Sequence, residues 1–85
     1  GEMTPEALTK AKTAMCIGFL RMINAAKQQW ALDQGKPANA VPTREELIPY
    51  LKSNIFPPCP EGGTYTINSV SAPPTCSHPG HVLPP

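Results

Sequence analysis

The sequence predicts an α+β domain in which a long N-terminal helix packs on a short second helix and a small antiparallel β-sheet. Three observations carry this. A stretch with no proline between Pro5 and Pro37 is bracketed by a helix start and a helix stop. A capping-box sequence follows at Thr43. After Asn54 the chain turns rich in proline, glycine and cysteine, around one β-favouring alternation.

Thr4-Pro5-Glu6 reads as a hydroxyl N-cap, a proline at the first helical position and an acid in the first turn. Gly35, followed by Lys36 and Pro37, supplies the stop. About 30 helical residues make a rod of roughly 45 Å, whereas an 85-residue globule measures only about 30 Å across. The helix is therefore expected to project. Leu8, Met15, Phe19, Met22, Ala26 and Trp30 follow helical spacing in one stripe; Cys16, Leu20 and Ile23 form a second beside it. The run 14–23 is apolar on more faces than so small a globule covers. Leu8, Met15, Cys16, Ile17 and Leu20 are the expected assembly interface, and Phe19, Ile23, Ala26, Trp30, Leu47, Tyr50 and Leu51 the expected core.

The second helix is expected over 43–52, with Thr43 and Glu46 as reciprocal caps and Pro49 limiting or kinking it. Trp30 and Tyr50 invite comparison with a ligand-stacking pair, but core packing between the two helices is the simpler reading. Residues 55–85 read as a hairpin and tail: a strand at Thr64–Ile67, a loop from Ser69 to Pro74, and a short second strand at Thr75–Ser77. The whole chain reads as one domain.

A net charge of +1 with 15% charged residues leaves no electrostatic footprint for nucleic acid. The longest apolar run is too short to span a bilayer, which takes about 20 residues. With no initiator methionine, and a helix cap reached within four residues, the chain reads as a mature or trimmed product of a longer precursor. Three cysteines and twelve prolines lean toward an extracellular or periplasmic setting.

The ordered blocks resemble a known pattern. Cys16 with Leu20-Arg21-Met22-Ile23 is followed by Ala26-Lys27-Gln28-Gln29-Trp30-Ala31, then Pro42-Thr43, Leu47 and Pro49-Tyr50-Leu51. Next come Cys59-Pro60 with Gly62-Gly63-Thr64-Tyr65, and last Pro74-Thr75-Cys76-Ser77 with Gly80-His81. In this order they resemble the globular part of type IV pilin-like proteins, specifically major pseudopilins of type II secretion. The resemblance implies a structural subunit of an extracellular pilus- or pseudopilus-like filament, with copies of itself and other secretion or pilus components as partners. Members of that family carry a processed leader and a hydrophobic helix ahead of the globular part. Here the polar segment Thr4–Thr13 stands in that place, and its capped start is expected to reflect natural loss.

The chemistry-bearing residues leave two alternatives open. Cys59 and Cys76 flank the strand and suit a disulfide, which would constrain the unfolded chain by about 3 kcal/mol; no cofactor is then required, and Cys16 is left as a buried thiol. Alternatively Cys59, Cys76, His78 and His81 offer four donors for zinc, although the spacing matches no familiar zinc pattern. The family resemblance supports Cys59, Cys76 and His81 but gives His78 no particular place. The alternative function is then a soluble periplasmic or secreted binding module with a Cys/His metal site. No paired carboxylates, nucleophile elbow, phosphate-cradling loop or HExxH sequence points to catalysis, so no enzyme is expected.

Overall fold

The computed structural model describes residues 4–84, so the first three residues, where the chain's beginning was read, lie outside it. Helix α1 spans Pro5–Gln34, helix α2 Arg44–Leu47, strand β1 Tyr65–Thr66 and strand β2 Thr75–Cys76. This is the expected α+β layout, with the two strands antiparallel and Tyr65 paired with Cys76.

The ends of α1 follow from the residues that mark them. Thr4 accepts the Ala7 N–H through its hydroxyl, and Gly35 closes the helix at φ 64°, sending its N–H to the Ala31 carbonyl. The molecule measures 49 × 25 × 18 Å, so α1 runs its full length and its first turns stand clear of the rest. No helix among the described residues is long and apolar enough to cross a membrane.

The second helix is shorter than expected. Thr43 and Glu46 form the reciprocal cap, but regular helix ends at Leu47 and tightens into a 3-10 turn over Ile48–Tyr50. Pro49 has no N–H to continue the i→i−4 ladder, and its ring crowds the preceding turn. The strands are likewise reduced to two residues each.

The core holds the expected Ile23, Ala26, Trp30, Leu47 and Leu51 and extends further along α1 than expected. Cys16, Leu20, Ile23, Ala26, Lys27 and Trp30 are its buried residues, joined by Leu47, Leu51, Cys59 and Tyr65. Cys16 and Leu20, assigned above to an assembly interface, thus lie inside the protein's own core. Their spacing with Ile23, Lys27 and Trp30 is an alternating four-and-three pattern, the stripe a straight helix presents to a packed surface. Leu8 and Met15 are exposed, Ile17 is half-buried, and Phe19 and Tyr50 are half-buried at the core's edge.

Lys27 puts a charged residue in the middle of that apolar stripe. Its side chain is fully buried, and its ammonium donates to the carbonyls of Ile67 at 2.6 Å, Ser69 at 2.9 Å and Ala72 at 2.5 Å. All three N–H bonds are used, which is how a charge is tolerated inside. Burial pulls its pKa down to about 8, while the three acceptors favour the ammonium form. The effect is to tie the loop over 67–72 onto the middle of α1. Val70 and Ser71 carry that loop further, donating to the Ala40 and Ala38 carbonyls.

Candidate metal centre

Four potential ligands from three parts of the chain converge against α1. The donor atoms of Cys16, Cys59, Cys76 and His81 all lie within 4.8 Å of one another. Cys16 comes from the middle of α1, Cys59 from the turn after Pro57-Pro58, Cys76 from β2, and His81 from the turn that follows it.

Each turn is fixed by its sequence. Gly62 donates its N–H to the Cys59 carbonyl at 3.1 Å and sits at φ 79°, a conformation glycine adopts without steric cost. Pro79-Gly80 makes the corresponding turn before His81, whose N–H reaches the His78 carbonyl with Gly80 at φ 84°. Proline followed by a positive-φ glycine is the type II turn signature. Gly63 is small for a different reason: a Cβ there would stand 2.6 Å from the Cys76 sulfur and 3.2 Å from that of Cys59.

The separations suit one central ion. Tetrahedral zinc, with bonds of about 2.3 Å to sulfur and 2.0–2.1 Å to nitrogen, sets sulfurs about 3.75 Å apart and sulfur from nitrogen about 3.55 Å. The sulfurs of Cys59 and Cys76 are 3.7 Å apart. Nδ1 of His81 is 3.5 Å from the Cys59 sulfur and 3.9 Å from that of Cys76. Cys16 closes the group, with its sulfur accepting the Tyr65 hydroxyl at 3.5 Å.

Outer contacts orient His81. Its Nε2 lies 3.2 Å from Oε1 of Glu61, and an ionised carboxylate only accepts, so the ring proton sits on Nε2 and the Nδ1 lone pair faces the thiols. Metal-ligating histidines characteristically have such a carboxylate partner. The other Glu61 oxygen lies 3.2 Å from His78 Nε2, and the two imidazoles stack with centroids 4.2 Å apart.

The thiols differ in how readily they ionise. Burial pushes Cys16 up to about 12, with the neighbouring thiols adding to it. Burial also acts to raise Cys59, but the N–H groups of Glu61 and Gly63, with Cys76 and His81, outweigh it and bring that thiol down to about 6. Clustered sulfurs resist ionising together unless a cation compensates them.

Of the four donors expected for zinc, Cys59, Cys76 and His81 are brought together. His78 is not among the four; it braces Glu61, and Cys16 takes its place. The Cys59–Cys76 pair expected as a disulfide is adjacent but present as two thiols. Sequence reasoning missed Cys16 as a ligand, Glu61 and Lys27. The signal for the first was weak, a lone cysteine in an apolar helical run far upstream. For Glu61, the Cys-Pro-Glu-Gly-Gly turn held the clue, since such a turn folds its N–H groups back on the sulfur.

No protein-family model, no curated protein and no solved structure matches the chain. The pilin-like resemblance therefore rests on its sequence blocks alone.

Proposed function

We propose that the chain is a non-catalytic structural module whose C-terminal half is clasped onto its long helix by a Cys3His zinc centre formed by Cys16, Cys59, Cys76 and His81. The observation that carries this is the spacing of Cys59, Cys76 and His81, whose donor atoms stand 3.5–3.9 Å apart as around a tetrahedral ion, with the Cys16 sulfur within 4.8 Å of all three. Three thiolates with one imidazole select zinc among the common divalent ions. Four protein ligands leave no open position for water or substrate, the arrangement of a structural rather than a catalytic site. An apparent binding free energy of about 10–16 kcal/mol for structural zinc is as large as the whole stability of an ordinary domain, about 5–15 kcal/mol. Metal analysis of protein purified under reducing conditions tests this. One zinc per chain, with the melting temperature falling sharply on chelation, is expected; metal-free protein of unchanged stability would overturn it.

A second reading concerns what the clasped helix is for. Leu8 is 45% and Met15 52% exposed, two turns apart on one face of α1. This favours a subunit that associates through that helix with further copies, as in the extracellular pilus- or pseudopilus-like filament implied by the sequence resemblance. Centrifugation over a concentration series tests it: a strict monomer at all concentrations would remove this reading without touching the metal centre.

A further inference from the structure

Cys76 differs from the other two thiols in its access. Cys16 is fully buried and Cys59 nearly so, whereas Cys76 is half-buried and opens on a cavity of about 170 Å³ walled by Pro73, Pro74, Val82 and Leu83. His81 also borders this cavity. The space is apolar and has room for a small neutral molecule, while a charged thiol reagent would lose its hydration on entering.

We propose, resting on the zinc reading above, that Cys76 and Cys59 form a peroxide-sensitive release site: a small hydroperoxide entering this cavity oxidises Cys76, Cys59 closes a disulfide with it, and zinc is released. The chemistry balances in two steps. The Cys76 thiolate attacks the terminal peroxide oxygen, the O–O bond breaks, and Cys76 sulfenic acid forms as the alkoxide or hydroxide leaves to take up a proton. The Cys59 thiolate then attacks the Cys76 sulfur, an S–S bond forms and hydroxide departs. Two thiolates have lost two electrons, and the peroxide has gained them. The sulfurs stand 3.7 Å apart, so little movement precedes the second step.

The order of access decides which cysteine is left. Cys16 lies behind the pair, against the Tyr65 hydroxyl, and keeps its thiol. The disulfide joins the 59–63 turn to β2, but the metal link from both to α1 is lost. Oxidation thus unclasps the long helix while leaving the C-terminal half cross-linked.

The test is titration of the zinc-loaded full chain with hydrogen peroxide, following zinc with a chromogenic chelator and the bonded pair by peptide mass spectrometry. The expected result is loss of the one zinc per chain, a single Cys59–Cys76 disulfide, a free Cys16, and rebinding of zinc after reduction. Leu83→Trp, which fills the cavity, should slow release about tenfold at unchanged zinc content. Protein that holds zinc but keeps it under peroxide, or that forms a disulfide through Cys16, overturns the release site and leaves the zinc centre standing. Protein that holds no zinc at the outset overturns the zinc centre instead. Should Leu83→Trp fail to fold, the disulfide map of the unmodified chain decides alone.

Discussion

Oε1 of Glu61 lies 3.2 Å from Nε2 of His81, on the opposite side of the ring from the thiols. The contact selects the tautomer whose Nδ1 lone pair points into the cluster, and the carboxylate charge makes that nitrogen a stronger donor. Glu61→Gln keeps the size but removes the charge. Zinc affinity should fall by about tenfold or more, as loss of an outer-shell partner does, with the fold intact by circular dichroism. Competition against a chelator of known affinity measures it, and an unchanged affinity would show that Glu61 does not orient His81.

Gly63 makes a sharper steric prediction. A methyl group there meets the Cys76 sulfur at 2.6 Å, and a sulfur held by a metal and a strand cannot swing aside. Gly63→Ala should therefore weaken zinc binding and lower the melting temperature together. Gly62→Ala is the contrast: its Cβ meets nothing, so it should cost only about 1–2 kcal/mol of left-handed backbone strain. Equal zinc affinities in the two variants would mean that the sulfurs are not fixed as described.

Lys27 gives a prediction in pH. Burial lowers its pKa from 10.5 to about 8, so between these values the unfolded chain holds a proton that the native chain has lost. Stability from this group therefore rises with pH across that window, and below about pH 8 the cost of burying the charge is fully present. Side-chain NMR of Lys27 should show a midpoint near 8; one near 10.5 would contradict it. Lys27→Met strands three carbonyls, each costing about 1–3 kcal/mol if left unpaired, and urea denaturation should register a loss of at least about 3 kcal/mol.

The ends of α1, the capping box and the place of the strands were legible because each depends on neighbouring residues. Thr4, Gly35, Thr43 and Glu46 act on backbone groups within a turn of themselves. The centre was legible only in part, because its ligands meet through the tertiary fold. Cys59, Cys76 and His81 share the loop-rich half and could be grouped. Cys16 could join them only once the buried stripe of α1 was known, and Lys27 disguised that stripe. A lysine between Ile23 and Trp30 reads as a solvent face until the carbonyls of Ile67, Ser69 and Ala72 are seen around it.

The projecting helix gives a prediction independent of metal. Leu8→Glu and Met15→Glu place charge on exposed positions, so the monomer's circular dichroism and melting temperature should be nearly unchanged. If α1 is an assembly face, both should reduce high-molecular-weight species, because an ion buried in an apolar contact is costly. Leu20→Glu should instead unfold the monomer, since Leu20 is fully buried in the core. Sedimentation with parallel circular dichroism separates these outcomes.

X-ray absorption spectroscopy at the zinc edge reads the ligand set from the ion's side. Three sulfurs at about 2.3 Å and one nitrogen at about 2.0–2.1 Å are expected, falling to two sulfurs in Cys16→Ser. A shell of oxygen and nitrogen alone, or one indifferent to Cys16→Ser, would contradict it.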